Sequence, residues 1–542
     1  MMTPTIPTAH FMMKRFLAPV AVLCLGGGAA CVDLTEVPIT GITNAYYSTA
    51  PGFEAAVNAC YEPMRSFWAR ERGATFTVFG TDEYQKGADG SYKAFNDYTP
   101  ALNGDVDHIR NTWADFYQGI NTCNTVISRA KTAAVPVAQQ TLRTGEARFL
   151  RALYYFTLVR TYGDVPLPLE ETVGLPPVAV REPVAKVYDA IVADLLFAEA
   201  NLPGVAKDYG RATKPAAQHL LSLVYLTRAK AGDMALAATE AKAVIANPLF
   251  ALLPRYKDIF DFTNEKNKEV VFSIQFTTDP LTTGVGNELH LYFGMLYDDK
   301  PGMTRDLANG RPFKRFRPTT FLLNLWDRTK DIRYDDMFKI TWLANNPNNL
   351  PKVNGVPKFQ VGDTAIFFPG RDVTAAERAA TRYLLVAPSD YNDAVFPVLN
   401  KFLDAARLSV NDTRGSRDLL FMRLGESYLI AAEALFRDGK AAEALTYVNA
   451  VRSRAAKPGQ LAAMQVTAAD LSIDFFLDER ARELTGETTR WFDLVRTGKL
   501  VERVKLYNPG GAPNIQAYHA LRPIPNNEIL LSGNTMKQNT GY

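Results

Sequence analysis

Apolar residues recur at steps of three and four along most of the chain, which is the spacing of one face of an α-helix. In the segment 111–131, Trp113 and Ile120 fall on the same side of such a helix. The segment 145–168 begins with a run that is apolar on nearly all sides and stops at prolines. The segment 181–203 has a proline in its first turn and another beyond its last. The pattern predicts a mainly α-helical fold with buried helices.

Two helical hairpins resemble each other in sequence and occupy 216–245 and 425–454. Each contains a turn glycine followed five residues later by an alanine: Gly232 with Ala237, and Gly439 with Ala444. Small residues after the turn let two antiparallel helices approach closely, and the arrangement resembles the tetratricopeptide hairpin. We therefore predict a helical body that contains tetratricopeptide-like hairpins.

Two regions interrupt the helical pattern. The segments 80–105 and 277–415 are rich in Gly, Asp, Asn and Pro, which favour turns. The run 269–276, just before the second region, alternates like a strand. We predict that these regions form a large loop-rich part with a few short strands. A ligand surface would be built there, because loops on a rigid scaffold commonly carry function.

Aromatic side chains in the loop-rich regions are candidate ligand-binding residues. A flat ring can pack against the apolar face of a sugar while polar side chains bind the hydroxyl groups. The candidate rings are Tyr84, Tyr92, Phe95, Tyr98, Tyr292, Tyr297, Trp326 and Trp342. The candidate polar partners are Asp82, Glu83, Asp89, Asn96 and Asp97. The alternative is that these rings fold inward and hold the loops against the core.

The N-terminus has the pattern of an export signal. A Lys-Arg pair precedes an apolar run at 16–25 that is too short to span a bilayer, and small residues then lead to Cys31. Small residues directly before a cysteine resemble the signal of bacterial lipoproteins, although Gly28 stands where leucine is usual. We predict a signal peptide at 1–30 and lipid attachment at Cys31. The alternative is an ordinary secretory signal cut after Ala30.

Composition limits the partners that the chain can have. Of its 542 residues 47% are hydrophobic, which is enough for a large core. The formal net charge of +3 gives no electrostatic footprint for nucleic acid. Two of the 4 cysteines belong to the predicted signal and lipid site, which leaves Cys60 and Cys123. Buried free thiols and a single disulfide are both open alternatives.

Recognisable catalytic motifs are missing from the sequence. The 5 histidines are scattered, with no HExxH pair, and no GxSxG or phosphate-binding loop is present. The segment 478–499 is dense in acids and arginines, but Leu477, Leu484 and Trp491 bracket them. We predict an ion-paired scaffold there, because a glycosidase needs two carboxylates across an open cleft. His219 is predicted to be a core histidine, and no metal ligands or cofactor are predicted.

Nine segments, in order, look like the SusD/RagB family. They are WADFYQGINTCN, GEARFLRALYYFTLVRTYGDVPL, REPVAKVYDAIVADL, GRATKPAAQHLLSLVYL, FPVLNKF, RDLLFMRLGESYLIAAEA, DERARELTGETTRWFDLVRTGK, LRPIPNNEI and QNTGY. A single segment is weak, since amphipathic helices are common, but nine in sequence order are specific. The last has Thr540 where proline is usual. The resemblance covers about 36–542.

The resemblance implies a single SusD-like domain at 31–542. Its N-terminal SusD-like part would be about 31–230 and its RagB/SusD part about 231–542. It also implies a surface-exposed, lipid-anchored protein of the outer membrane that serves a SusC-like TonB-dependent transporter barrel. Members of the family can hold structural calcium, although no motif in this sequence supports it.

The leading hypothesis is a non-enzymatic surface lipoprotein that captures an oligosaccharide or a peptide and delivers it to the transporter. The aromatic residues do not decide between the two ligand classes. A surface glycan hydrolase and a helical-repeat adaptor for protein segments are the alternatives.

Overall fold

The structure is a computed structural model that describes residues 44–174, 178–279 and 281–542. The predicted signal peptide at 1–30 and the predicted lipid site at Cys31 lie outside the described residues. Residues Ala45–Tyr542 form one compact unit. The predicted boundary near residue 230 stays a prediction. None of the helices that are described is both long enough and apolar enough to cross a bilayer.

Helices dominate the described chain. The first ten are α1 (Asn44–Tyr47), α2 (Ala50–Ala59), α3 (Glu62–Phe67), α4 (Glu71–Thr77), α5 (Ala94–Asp97), α6 (Asp107–Arg129), α7 (Val137–Tyr162), α8 (Val184–Asn201), α9 (Lys214–Arg228) and α10 (Asp233–Ile245). The others are α11 (Leu289–Tyr292), α12 (Thr320–Leu323), α13 (Arg333–Met337), α14 (Ala375–Ala380), α15 (Leu424–Arg437), α16 (Ala441–Arg454), α17 (Leu461–Met464), α18 (Ile473–Leu484), α19 (Arg490–Arg496), α20 (Leu500–Tyr507) and α21 (Asn526–Leu531). The predicted fold class is confirmed.

The strands are short. They are β1 (Tyr84–Lys86), β2 (Val270–Ile274), β3 (Phe316–Pro318), β4 (Phe338–Lys339), β5 (Thr341–Leu343), β6 (Lys352–Val353), β7 (Val356–Pro357), β8 (Thr364–Phe367), β9 (Leu384–Leu385), β10 (Val398–Leu399) and β11 (Leu419–Arg423). Antiparallel pairs join β1 to β3, β4 to β10, β2 to β11 and β6 to β7, while β8 lies between β5 and β9. Most of the strands fall between 277 and 415, so this region has the loop-rich character that its composition predicts.

Helices α6, α7 and α8 form one packed group because their apolar faces meet and a buried arginine joins them. The Arg151 guanidinium of α7 donates to Asp194 of α8 at 2.7 Å and to Asn124 of α6 at 2.7 Å. Pairing with a carboxylate offsets the cost of burying the charge. These helices lie where the apolar spacing predicts them.

The two predicted hairpins are present as α9 with α10 and α15 with α16. Their turn glycines have positive φ angles of 86° at Gly232 and 76° at Gly439, a conformation that costs a side-chain-bearing residue energy. Ala237 and Ala444 are fully buried, as close helix approach requires. Helix α10 also packs against α15, so the hairpins contact each other.

The charges of 478–499 form a buried ion-pair network, as predicted, but the cations come largely from elsewhere. Arg333 reaches Glu479 at 2.9 Å and Glu483 at 3.1 Å, and both carboxylates are fully buried. Arg423 bonds Glu483 at 2.7 Å. Arg482 does pair with Glu479, at 2.9 Å. The network thus joins α18 to α13 and to the end of β11.

The two remaining cysteines are buried and unbridged, which answers the question that the sequence leaves open. Cys60 follows α2 and Cys123 lies in α6, and both belong to the main hydrophobic core. A second, smaller core lies beneath the loop-rich region around Trp342 and Phe368. This smaller core gives the loops a rigid base.

Candidate functional site

The predicted ligand-binding rings are mostly buried. Tyr84, Phe95, Tyr98, Tyr292 and Tyr297 are each at most 2% exposed, and Trp342 is 1% exposed. The hydroxyl groups of two of these tyrosines have backbone partners: Tyr98 donates to the Gly80 carbonyl at 2.7 Å and Tyr297 to the Gly310 carbonyl at 2.6 Å. These rings therefore fold inward and hold the loops against the core, which is the alternative left open by the sequence. Burying a large aromatic surface stabilises a loop that has little other core.

Tyr92 is the half-exposed member of the predicted set. Its ring stacks on His108 with the centroids 3.4 Å apart and the planes at 19°. Among the predicted polar partners, Asp82, Glu83 and Asn96 are buried. Asp97 pairs with Lys86 at 2.8 Å, and the half-exposed Asp89 pairs with Lys314 at 2.9 Å. The predicted residues therefore do not converge on one open surface, and ligand contact at these positions stays a prediction.

Trp326 lies at the wall of an open cleft of about 520 Å³ within the loop-rich region. We call this the Trp326 cleft. Its walls come from β3, from α12 and the turn after it, from Tyr334 of α13 and from the segment 388–396. The volume is within the range of about 300–1,000 Å³ that small-molecule sites occupy.

The chain builds one wall of the Trp326 cleft by pairing two distant segments. Strand β1 pairs with β3 in a register that places Gln85 opposite Arg317. Thr319 then caps α12 by accepting a hydrogen bond from the Leu322 N–H at 3.2 Å. Because the short helix is fixed at its start, the turn after it, with Asn324 and Trp326, has a defined position.

The Trp326 ring packs against neighbouring aromatic side chains, and its indole nitrogen has no hydrogen-bond partner among the described residues. Its ring contacts Tyr334 and Phe338 edge-on, with centroid distances of 5.8 and 5.7 Å, and it is 4% exposed. The indole N–H is buried and makes no hydrogen bond within the described part of the chain. A buried donor without a partner is uncommon in a folded protein. The nitrogen has almost no accessible surface, so the wall that a ligand meets is made by the other lining side chains.

Two arginines form polar parts of the cleft and are held in place by neighbours. The Arg328 guanidinium lies over the Tyr334 ring, 4.2 Å from its centroid. Arg317 donates to Asp393 at 2.6 Å. Such fixed side chains lose little conformational entropy when a ligand binds. The cleft thus presents oriented donors beside aromatic surface.

The surroundings of Tyr391, Tyr334 and Asp327 in the cleft shift their pKa values. Burial raises the pKa of Tyr391, and it raises the pKa of Tyr334 to about 12 although Arg328 opposes the shift. Both tyrosines are therefore neutral donors and acceptors near neutral pH. Hydrogen bonds from Thr329 lower the pKa of Asp327, which stays ionised at the rim. Among the described residues that line the cleft, Asp327 is the one carboxylate.

Sequence reasoning missed several residues of this cleft. They are Arg317, Asn324, Arg328, Tyr391 and Phe396. Each lies inside the predicted loop-rich region 277–415, so the region was identified although the residues were not. The signal that could have found them is the combination of aromatic and polar residues among turn formers, as in PSDYND at 388–393. Exposure depends on the packing of distant segments, which local sequence does not show.

The described chain holds no group of three or more His, Cys, Asp or Glu side chains arranged to bind a metal ion. His219, which sequence predicts to be a core histidine, is 1% exposed, with Nδ1 at 2.8 Å from the Ser427 hydroxyl and Nε2 at 3.2 Å from Glu426. Asp331 and Arg333 form a buried pair at 2.7 Å.

Comparison with known families gives two matches, one in the N-terminal part of the chain and one in the C-terminal part. The model described as "SusD family" matches residues 386–542. The model described as "Starch-binding associating with outer membrane" matches residues 45–226. Together, the two matches include segments from both ends of the described chain.

Relatives with similar sequences and structures extend across nearly the whole chain. The chain is 28% identical to "SusD-like protein P2" of Formosa agariphila, over 98% of this chain and 100% of the relative. It is 29% identical to "Starch-binding protein SusD" of Bacteroides thetaiotaomicron, over 74% and 73%. Its structure is similar to a "Laminarin binding SusD-like protein", with a TM-score of 0.69, 25% identity and coverage of 92% of this chain and 100% of that one. These matches and the fold support the assignment of the chain to the SusD/RagB family.

Proposed function

We propose that this chain is a surface glycan-binding protein of the outer membrane that binds an oligosaccharide in the Trp326 cleft and delivers it to a partner transporter. The observation that carries the proposal is an open cleft of about 520 Å³ whose lining combines aromatic rings with polar side chains: Tyr334, Tyr391 and Phe396 with Arg317, Asn324 and Arg328. Sugar hydroxyl groups can bond to these polar groups while the pyranose C–H face lies against an aromatic side chain.

The similar proteins support a saccharide ligand. One relative is named for starch binding, and a similar structure is named for laminarin binding. The cleft has the chemistry that such ligands need, because its tyrosines and Asn324 can both donate and accept hydrogen bonds. A hydroxyl group of a sugar requires both roles.

Binding suits the cleft better than hydrolysis does. Glycosidases place two carboxyl groups on either side of the scissile bond, at a separation of about 5–10 Å. Asp327 is ionised and lies at the rim, and it lacks a second carboxylate among the described lining residues. The proposed activity is therefore capture without a change of covalent bonds.

Titration calorimetry with defined oligosaccharides tests the glycan site. The protein would be the mature chain without the predicted lipid-bearing cysteine, residues 32–542, and the probes laminarihexaose, maltoheptaose and a mixed peptide library. We expect a saccharide to bind and Tyr391→Ala combined with Asn324→Ala to lower its affinity at least tenfold. Tyr383→Ala is the matched control, because Tyr383 is half-exposed in the same region but does not line the cleft.

Two outcomes would overturn the glycan site. Binding of the peptides with no response to any saccharide would assign the cleft to the other ligand class. Unchanged saccharide affinity in the double variant would place the ligand elsewhere.

A separate assay tests the absence of hydrolysis. Reducing ends released from laminarin or starch by the purified chain would show hydrolysis and contradict capture without bond cleavage.

Membrane attachment and transporter partnership belong to the same proposal. A diacylglyceryl group on Cys31 with an additional acyl chain would anchor the protein stably, since each buried CH₂ contributes about 0.8 kcal/mol. A SusC-like TonB-dependent barrel would receive the ligand. Mass spectrometry of the N-terminal peptide from membranes tests the lipid, and co-purification of a barrel with the tagged full chain tests the partner. Cys31→Ser should release the protein from the membrane, whereas Cys60→Ser should not.

A further inference from the structure

A second open cleft, of about 490 Å³, shares no lining residue with the Trp326 cleft. We call it the Tyr209 cleft. It is lined by α3 and the residue before it, by the turn 208–211, and by the segment 272–275 at the end of β2. Its size is close to that of the first cleft, and nothing in the proposed function uses it.

Aromatic surface is available in the Tyr209 cleft. Tyr209 is 39% exposed, and among the described tyrosines Tyr46 and Tyr518 are the others with a similar exposure. Lys266 lies near its ring, with the ammonium nitrogen 5.0 Å from the centroid. Tyr61 is half-buried at another wall, and its hydroxyl donates to Glu146 at 2.6 Å. The cleft thus offers rings held by their neighbours.

The polar side chains of the cleft are also held in place by hydrogen bonds to their neighbours. Arg211 donates to Glu146 at 2.9 Å and to Asn58 at 2.6 Å. Gln275 donates to Asp418 at 2.9 Å. Because these groups are already ordered, a ligand that bonds to them loses little affinity to side-chain entropy.

The charges that line the cleft are balanced. Two guanidinium groups and two carboxylates face it: Arg65, Arg211, Glu62 and Asp208. Together with the amides of Asn58 and Gln275, they supply both donors and acceptors without an excess of charge of either sign. Such a lining suits a neutral ligand with many hydroxyl groups, and a strongly charged ligand would gain little net attraction.

An added peptide strand fits the cleft less well. Strand β2 pairs with β11 alone in the described sheet, so its other edge could in principle accept a peptide. The turn 208–211 occupies that space at the end of the strand. A Cβ placed on Gly210, whose φ is 89°, would lie 2.5 Å from Cγ of Gln275. An incoming strand needs a spacing of about 4.8 Å from β2, which this close approach prevents there.

We propose that the Tyr209 cleft is a second saccharide-binding site, which takes a short stretch of the same neutral glycan that the Trp326 cleft binds. The inference rests on the proposed function, because it takes the ligand class from the first site. Two weak sites on one chain bind a long polysaccharide more tightly than either binds a short oligosaccharide, since the second contact is intramolecular. The cleft therefore serves to retain polymers at the surface.

The test compares a short ligand with its polymer on the mature chain. The probes are laminarihexaose with laminarin and maltoheptaose with starch, and the measurements are calorimetric stoichiometry and affinity electrophoresis. We expect two moles of a bound oligosaccharide per chain. Tyr209→Ala should reduce this to one mole, leave the remaining affinity unchanged and lower affinity for the polymer at least tenfold. Tyr391→Ala with Asn324→Ala should retain the second mole.

The matched control is Tyr46→Ala, because Tyr46 is 40% exposed and lines neither cleft. If Tyr209→Ala does not fold, as judged by thermal unfolding, Asp208→Ala replaces it, since this side chain is 63% exposed. It should weaken polymer binding in the same direction.

One mole of oligosaccharide per chain, lost entirely in the Trp326-cleft double variant, would overturn the second site and leave the proposed function intact. Absence of saccharide binding at both clefts would overturn the proposed function as well. Binding of a peptide that Tyr209→Ala abolishes, without a saccharide effect, would assign the cleft to the other ligand class and contradict the inference.

Discussion

Asp82 and Arg490 lie 408 residues apart in the chain and meet in the core through two hydrogen bonds, of 2.7 and 2.5 Å. Arg503 also donates to Asp82, at 2.7 Å. Burial alone would raise the pKa of Asp82, but the two guanidinium groups lower it overall. The pair connects the loop-rich segment after α4 to the helices near the C-terminus, so the first loop-rich region is fixed to the helical body.

Removal of the Asp82 carboxylate should destabilise the chain strongly. Asp82→Ala leaves Arg490 buried beside Glu83 and takes away its bidentate partner, and breaking such a pair costs about 3–5 kcal/mol. Denaturant unfolding would measure the loss. Asp89→Ala is the control, because the Asp89 side chain is 51% exposed in its pair with Lys314 and should cost below about 1 kcal/mol. Equal losses in both variants would contradict the importance of the buried pair.

Glu83 should make stability depend on pH in the opposite direction from the usual carboxylate. Burial raises its pKa to about 7, although Arg490 opposes the shift. Because the folded pKa is above the unfolded value, the contribution of Glu83 is fully present below pH 4.5 and is lost as the pH rises through 7. The difference amounts to on the order of 3 kcal/mol.

Glu83→Gln removes this titration. We expect the stability of the natural chain relative to the variant to fall between pH 5 and pH 8, as measured by urea unfolding at each pH. Glu502→Gln is the control, since Glu502 is 53% exposed. Parallel profiles for the natural chain and Glu83→Gln would show that Glu83 does not titrate in this range.

Some of the fold could be predicted because it depends on residues that are close in sequence. The hairpin of α9 and α10 follows from apolar spacing and a turn glycine, Gly232, and these signals lie within about thirty residues. The cleft is different. Trp326 and Tyr84 are both aromatic residues among turn formers, yet Tyr84 is 1% exposed in a wholly internal position while Trp326 borders an open space. That distinction arises from the pairing of β1 with β3, which joins segments more than two hundred residues apart.

The partners in the buried ion pairs are likewise not visible in the local sequence. Sequence reasoning assigned the acids of 478–499 to a scaffold, because apolar residues surround them. The arginines of the same segment are the nearest possible partners in sequence, whereas Arg490 binds Asp82 and Glu483 binds Arg423. A carboxylate in a helix has many arginines available along a long chain, and only the packing of the helices selects among them.

Gly119 in α6 should not tolerate a methyl group. In a helix, Gly→Ala usually stabilises by about 1 kcal/mol. A Cβ at Gly119 would lie 2.7 Å from Pro63 and 3.0 Å from the Tyr154 ring, so overpacking should cost about 1–3 kcal/mol. Gly119→Ala should therefore lower the midpoint of thermal unfolding. Gly204→Ala, whose added Cβ meets nothing within 4 Å, should leave it nearly unchanged, and the reverse order would contradict the close approach.

The two core thiols should be slow to react in the native chain. Burial raises the pKa of Cys60, and the neighbouring Cys123 raises it further, so the reactive thiolate is scarce. On the mature chain without Cys31, we expect Ellman's reagent to titrate almost no thiol before unfolding and two after it in guanidinium chloride. Failure to detect thiols in the unfolded chain would reveal a disulfide. Rapid native reaction would show that the α2–α6 contact opens readily.

Trp326→Phe tests whether the buried indole N–H takes part in binding. Phenylalanine keeps most of the ring contact with Tyr334 but has no N–H. Because the indole nitrogen has almost no accessible surface, we expect saccharide affinity to change by less than about twofold, while the free energy of unfolding stays level or rises because a buried unpaired donor is removed. Calorimetry and denaturant unfolding measure the two effects on the same sample.

Trp491→Phe is the matched control for this last substitution. Trp491 is fully buried and its indole nitrogen is likewise unpaired in the described chain, but it does not line the Trp326 cleft. Its replacement should leave saccharide affinity unchanged. A similar affinity loss in both variants would point to a general change of the fold, and no loss in Trp326→Phe would show that the ligand does not accept this hydrogen bond. A selective loss of affinity in Trp326→Phe, with stability retained, would contradict this expectation and place a ligand oxygen at the indole nitrogen.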